Sequence, residues 1–370
     1  MAIWVRAGGG VFDGEHLLAD HAAYVDGGIV ARIAPIEDIS QRARLLGPGV
    51  ISAGFVDLQV NGGAGTVFND SPTVEGLARI SAAHRAGGAL SILPTFITDS
   101  ADRRDHAIQA VAQAMAEGVQ GIAGLHLEGP YLNPARRGAH RQEHIQTLDH
   151  DAIEALIACP IRPLLVTLAP EMVPKGSIAR LVEAGIIVFA GHSEACAERM
   201  ALAEAEGLRG VTHLYNAMSQ LQGRAPGLVG SCFASRKLSA SVIADGHHVA
   251  TASLQAAVQA MGPDRLLLVS DAMTTGVHGY TLYGERIEVR NGACINAEGN
   301  LAGAALTLDQ AVGHMVEKAG LPIELALRMA TSRPAAMIGL SRPHGHLPGP
   351  GIYLGPDWQA TPLADLGLDG

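Results

Sequence analysis

Between residues 54 and 270 the sequence switches repeatedly between two periods. Short apolar runs at 54–60, 89–95, 120–128, 162–168, 186–191, 209–213, 238–243 and 265–270 have the length and β-branched content of buried strands. Amphipathic stretches with helical spacing lie between most of them, at 74–86, 102–116, 152–158, 178–184 and 251–261. Such alternation calls for a parallel sheet with helical crossovers, because parallel strands cannot be joined by tight hairpins. Eight units is the count of a (β/α)8 barrel. A doubly wound open sheet produces the same local pattern. The chain has 45 glycines and is 48% hydrophobic with 4% aromatics, which suits many tight turns and argues against disorder.

The two ends read differently. Residues 1–52 hold short pieces at 2–6, 21–25 and 29–33 separated by turns such as Asp26-Gly27-Gly28, the pattern of a small β-structure. The tail from His344 to Gly370 is rich in Gly and Pro, with one strand candidate at 352–354 that could pair with the N-terminal region. A β-like insertion at 280–295, with Asn291-Gly292 as a turn, follows the last barrel run. Two helices are expected after it, at 308–319 and 323–331, and Pro334 marks another element start.

A net charge of −10 with no basic stripe argues against nucleic acid as a partner. No apolar run approaches the roughly 20 residues that span a bilayer. The first residues lack the continuous apolar region of a signal peptide. Cys159, Cys196, Cys232 and Cys294 are scattered without paired spacing and read as reduced core thiols. The expectation is a soluble, cytoplasmic protein.

Four of the runs end in a residue able to hold a metal or a proton: Glu128, His192, His213 and Asp271. Each alone has an ordinary explanation. A strand-end Glu is commonly salt-bridged, a lone His after an apolar run is commonly a hydrogen-bonded core residue, and Asp is favoured as a helix N-cap. In a parallel barrel, however, the strand ends meet on one face. There the carboxylate and two imidazoles make a His₂Glu set with an open coordination position, as catalytic zinc sites have. Asp271 could accept a proton from water at that position. Arg136-Arg137-Gly-Ala-His140, Gln222-Gly-Arg224 and Asp245-Gly-His247-His248 offer loops suited to a phosphate or carboxylate, although each Arg taken singly reads as a solvated surface group.

Together, Gly54-Phe-Val-Asp-Leu-Gln59-Val-Asn61-Gly, His126-Leu-Glu128-Gly-Pro-Tyr-Leu-Asn133, Ala190-Gly-His192-Ser, Thr212-His213-Leu-Tyr-Asn216-Ala-Met218, Ile243-Ala-Asp-Gly-His-His248-Val and Val269-Ser-Asp271-Ala resemble the N-acetylglucosamine-6-phosphate deacetylase family of the amidohydrolase superfamily. The resemblance runs from about Gly54 to Ile338. It implies a distorted (β/α)8 TIM barrel over 53–340, with a small β-sandwich made by 1–52 and 341–370, usually in a homodimer. The implied reaction is hydrolysis of the acetamide of a 6-phosphosugar to acetate and the amine.

Matched by position, Glu128, His192 and His213 would bind one divalent metal ion per subunit, zinc first, although His₂Glu also accepts iron, cobalt or manganese. Asp271 would be general base and then acid, and His140, after Gly138-Ala139, would contact the substrate amide and the developing oxyanion. Asn216, Ala217, Arg224 and His248 would hold the phosphorylated N-acetyl amino sugar, with Arg224 reaching across the dimer interface. Leu301-Ala302-Gly303 matches a substrate-contacting turn, and Ala139 lies beside the same pocket. Where many superfamily members place a His-x-His pair for a second metal, this chain has Gln59-Val60-Asn61. Neutral amides are weak zinc ligands, which points to the one-metal subset and leaves Gln59 and Asn61 for the substrate. The stretches at 141–144 and 273–276 depart from the family pattern. Both border the pocket and leave the gluco and galacto sugars open. A catalytically silent scaffold is a further alternative, against which the intact Glu/His/His/Asp set stands.

Overall fold

The computed structural model describes residues 2–282, 284–290, 292–297, 299, 301–340 and 344–368. Eight parallel strands follow one another in chain order: β1 (Phe55–Val60), β2 (Ala89–Ile97), β3 (Leu125–Glu128), β4 (Leu164–Leu168), β5 (Ile187–Ala190), β6 (Gly210–Val211), β7 (Ser239–Val242) and β8 (Leu266–Leu268). A parallel bridge from Val60 to Ala272, and the Asp271 N–H donating to Gln59 O at 3.0 Å, join the last strand back to the first. The fold is therefore the (β/α)8 barrel, and the doubly wound alternative falls. Each expected run coincides with one of these strands, the second of which extends two residues past its run to Ile97. They were legible because a barrel strand is buried on both faces, as throughout β1, β3, β4, β7 and β8.

Helices pack outside the barrel and begin at side-chain caps. Thr73 accepts from Gly76 N–H ahead of Val74–Arg85, and Asp149 accepts from Ala152 N–H ahead of His150–Ile157. Two helices were not anticipated, Ala197–Ala205 and Gly227–Ala234. The second, Gly-Leu-Val-Gly-Ser-Cys-Phe-Ala, is apolar nearly all round and carries no amphipathic signal. Pro334 falls in the first turn of Ser332–Met337, where a missing N–H does no harm.

Strand alternation sends Val56, Leu58 and Val60 into the apolar core. Asp57, Gln59 and Asn61 point to the other face, into the barrel. Lower in the barrel a polar chain crosses the strands. Thr95 Oγ1 lies 3.2 Å from His126 Nδ1, His126 Nε2 lies 2.8 Å from Thr167 Oγ1, and Thr167 Oγ1 lies 2.7 Å from Thr212 Oγ1. Burial pushes the His126 imidazole down to about 4, so this chain is neutral.

Both chain ends build a second, nine-stranded sheet, in which Gly349–Leu354 sits between Val50–Ala53 and Ile29–Pro35 and pairs with Ala360–Pro362. Val5, Val11, Ile51, Leu347 and Leu363 form its core. Residues 341–343, 369 and 370 lie outside the described residues. After the barrel closes, the insertion makes a four-stranded meander: Gly279–Leu282, Glu285–Arg290, Ala293–Ile295 and Leu301–Ala304. Residues 301–303 are thus strand rather than turn, because Ala304 bridges back to Ala272 at the barrel. Asn291, expected in a turn there, lies outside the described residues.

All four cysteines are free. Three are buried as expected, but Cys196 is exposed, because it stands at the N-cap of Ala197–Ala205 rather than in the core. Among the described residues no helix is long and apolar enough to cross a membrane.

Candidate metal centre and active site

The four expected residues converge at the C-terminal mouth of the barrel. Glu128 ends β3, His192 and His213 lie two residues beyond β5 and β6, and Asp271 lies three beyond β8. His192, His213 and Asp271 all have left-handed backbones, with φ of +49°, +34° and +47°. Such conformations cost roughly 1–3 kcal/mol for a non-glycine residue and persist only where neighbours enforce them. Here the His213 N–H donates to Ser241 Oγ at 2.8 Å, and His192 O accepts from Asn133 N–H at 2.9 Å. Asp271 is held by its bond to Gln59 and does not cap a helix.

Glu128 Oε1 lies 3.0 Å from His192 Nε2 and 2.9 Å from His213 Nε2, and the two imidazole nitrogens are 3.1 Å apart. All three side chains are buried. His192 Nδ1 donates to Arg136 O at 2.8 Å, which leaves its Nε2 lone pair facing the carboxylate and the other ring. A lone pair 3.0 Å from an anionic oxygen is unfavourable unless a cation lies between them. Tetrahedral zinc with bonds of about 2.0–2.2 Å spaces its ligands about 3.3 Å apart, so the donors need open by only a few tenths of an ångström. The residues present therefore fit a small divalent ion. Burial opposes ionisation of Glu128, but the His192 and His213 imidazoles against it outweigh burial and hold the carboxyl well below its usual range.

The ligand atoms of Glu128, His140 and His192 also come within 4.8 Å of one another. His140 is nevertheless the poorer ligand. Its Nδ1 accepts from the Thr98 N–H at 3.3 Å and lies 2.8 Å from Thr98 Oγ1. A backbone N–H can only donate, so the lone pair is on Nδ1 and the proton on Nε2. Burial, and then neighbouring His192, push this imidazole down to about 3, which keeps it a neutral donor.

Residues 50–348 match the family model described as "Amidohydrolase family". The chain belongs to the amidohydrolase family. Over 294 residues it is 40% identical to N-acetylgalactosamine-6-phosphate deacetylase of Shewanella sp. (strain ANA-3), covering 78% of this chain and 74% of that protein. Over 332 residues it is 31% identical to N-acetylglucosamine-6-phosphate deacetylase of Haemophilus influenzae, covering 88% and 87%. The crystal structure of N-acetylglucosamine-6-phosphate deacetylase from Pasteurella multocida superimposes with a TM-score of 0.88 over 97% of each chain, at 31% identity.

In this amidohydrolase Asp271 is half-buried beside the Glu-His-His set. Its Oδ1 accepts from Asn61 Nδ2 at 2.7 Å. Burial first, and then the Glu128 charge, raise its pKa to about 6. Both side-chain atoms of Gln59, and Asn61 Oδ1, are buried without a partner. An unpartnered buried amide is costly, and at a barrel mouth it marks a place for a polar ligand.

The other expected residues fall into four groups. Ala139, Leu301 and Ala302 line one cleft of about 540 Å³, with Arg137 and Arg141 beside them, and Gly303 packs directly on Met273. Asn216 donates to His213 O at 3.3 Å, and Ala217 O accepts from Ser193 N–H at 3.1 Å, so both flank the ligand loops. His248 lies close enough for its charge to bear on Asp271. Arg224 is different: it sits on the exposed turn 222–225, in a surface cleft with Arg136, Glu194 and Cys196, away from the cluster within its own chain.

Several functional groups escaped the sequence. Thr98 orients His140. Asp57 accepts from the Ser270 N–H at 3.2 Å and the Gln59 N–H at 3.2 Å, directly behind Asp271. Glu171 accepts from Asn133, Ser193 and the Glu194 N–H at 2.6–2.8 Å, tying the loops around His192. The signal for Asp57 was present, since it shares the two-residue period of Gln59 and Asn61. Thr98 and Glu171 give none, because their partners lie 42 residues and 22 or more residues away.

Proposed function

We propose that this amidohydrolase hydrolyses the acetamide of N-acetylglucosamine 6-phosphate, releasing glucosamine 6-phosphate and acetate. The observation that carries this is the meeting of Glu128, His192 and His213 Nε2/Oε1 atoms within 3.1 Å, with the acidic Asp271 beside them. Glu128, His192 and His213 hold one divalent ion, zinc in our reading. When bound, it supplies Lewis-acid polarisation of a water and of the amide carbonyl.

The chain's own residues do the rest. Ionised Asp271, aimed by Asn61, takes a proton from the attacking water as its oxygen bonds to the carbonyl carbon. The neutral Nε2–H of His140, held by Thr98, donates to the oxygen on which charge develops. Asp271 then gives its proton to the amine nitrogen as the C–N bond breaks. Gln59 and Asn61 offer unpartnered amide atoms to the sugar, and Ala139, Asn216, Ala217 and residues 301–303 contact it along the rim. His248 and Arg224 take the phosphate, whose binding energy positions the amide.

Arg224 would act in a homodimer, across the interface. That is supported by its exposed turn, where Leu221 is 55% exposed. We divide the chain into a barrel of 53–340 and a small β-domain of 1–52 with 341–370, on the pairing of strands from both termini.

The galacto epimer is a second reading, favoured by 40% identity to the Shewanella relative against 31% to the Haemophilus one. The test is acetate release by zinc-loaded protein from both 6-phosphates. A higher kcat/KM on the gluco epimer supports the first reading and a higher value on the galacto epimer the second. Turnover of neither epimer rejects both.

A further inference from the structure

With His248 taken as a phosphate contact, the pair behind it acquires a role. Asp245 follows β7 and is bound three times within its own turn. Its Oδ1 accepts the N–H groups of His247 and His248 at 2.8 Å each, and its Oδ2 lies 2.6 Å from His248 Nδ1. The side chains are 4% and 10% exposed, so the pair is shielded from water on most sides. Gly246 makes the turn with φ of +76°, and a Cβ there would press on His314 at 2.9 Å, so the turn has little room to shift. Burial disfavours the Asp245 carboxylate, but the bond to His248 outweighs it and keeps the group ionised.

We propose that Asp245 is a positioning residue for substrate binding: it holds the proton of His248 on Nδ1 and turns Nε2 outward to the anionic end of the substrate. With Nδ1 committed, Nε2 is the only ring nitrogen left for a ligand. A carboxylate behind an imidazole also favours the doubly protonated ring once a phosphate dianion lies in front, giving a charge-assisted bond on each side. A plain turn cap would need only the Oδ1 contacts, and the 2.6 Å Oδ2 contact exceeds that need. This inference rests on the phosphate reading of His248, and the experiment separates the two.

Asp245→Asn keeps an oxygen for the backbone N–H groups and removes the charge behind the ring. It should be compared with His248→Gln and the double variant in the zinc-loaded enzyme. The readouts are KM and kcat on the 6-phosphate, the inhibition constant of inorganic phosphate, and kcat/KM on the unphosphorylated sugar. Each single variant should raise KM and the phosphate inhibition constant about tenfold or more, with kcat falling less than about threefold. The loss in kcat/KM should be smaller on the unphosphorylated sugar than on the 6-phosphate, and the double variant no worse than His248→Gln.

If His248→Gln weakens phosphate but Asp245→Asn does not, the role of Asp245 falls and that of His248 stands. The same holds if the two effects multiply in the double variant. If neither matters, both fall. Should Asp245→Asn fold poorly, ¹⁵N spectra of the wild-type imidazoles decide: His248 Nδ1 stays protonated while Nε2 shifts on adding inorganic phosphate. An unprotonated Nδ1 overturns the proposal.

Discussion

Asn61 Nδ2 stands 2.7 Å from Asp271 Oδ1, linking the first strand of the barrel to the loop after the last. The two residues are 210 positions apart and meet only because the sheet closes. This amide sets which way the second oxygen of Asp271 faces. Asn61→Leu should therefore lower kcat about tenfold or more while moving the thermal midpoint by only a few degrees. An unchanged kcat in that variant contradicts an aiming role for Asn61.

Asp271 must be ionised to accept a proton. Burial and the Glu128 charge place its pKa at about 6, so the competent fraction rises as pH climbs through that value. A cation on Glu128 offsets the second cause and moves the transition lower. The kcat/KM profile should then show an acidic limb at or below about pH 6. Asp271→Asn should remove that limb, cost roughly 10²–10⁴ in kcat and retain the metal. A limb above pH 7, or near-normal turnover by Asp271→Asn, argues against the assignment.

Asp57 offers a test on stability. Burial pushes its carboxyl from 3.8 up to about 7, despite hydrogen bonds from Ser270 and Gln59. Between those values the folded protein binds a proton that the unfolded chain has released. Stability therefore falls as pH rises through the window, and the loss is complete above about pH 7. Asp57→Asn lacks this loss, so its stability relative to wild type should improve by about 2–4 kcal/mol between pH 4 and 8. Denaturant melts at the two pH values measure it, and a difference that does not vary with pH contradicts the protonated state.

The barrel and its site were legible to different depths. Strands buried on both faces announce themselves as apolar runs, and a lone polar residue at the end of such a run, as at Glu128 or His192, stands out. Helix Gly227–Ala234 has no polar face and so no period to detect. Asp245 lay in a motif already singled out, but its bond to His248 depends on a turn geometry that spacing alone does not give. Thr98 and Glu171 act only through strands that the fold places next to them. Residues 301–303 match a turn in the family resemblance but form a strand here, where the φ of +110° at Gly303 serves close packing on Met273. Arg224 stays on an exposed turn of its own chain, in a surface cleft beside Arg136 and Glu194.

The most direct measurement is an anomalous diffraction map of the zinc-loaded protein, collected on both sides of the zinc edge. One peak per chain is expected, bonded to Glu128 Oε1, His192 Nε2 and His213 Nε2, with His140 Nε2 outside bonding distance. A peak ligated by His140 in place of His213, a second peak of equal height at Gln59 and Asn61, or no peak at this cluster would contradict it.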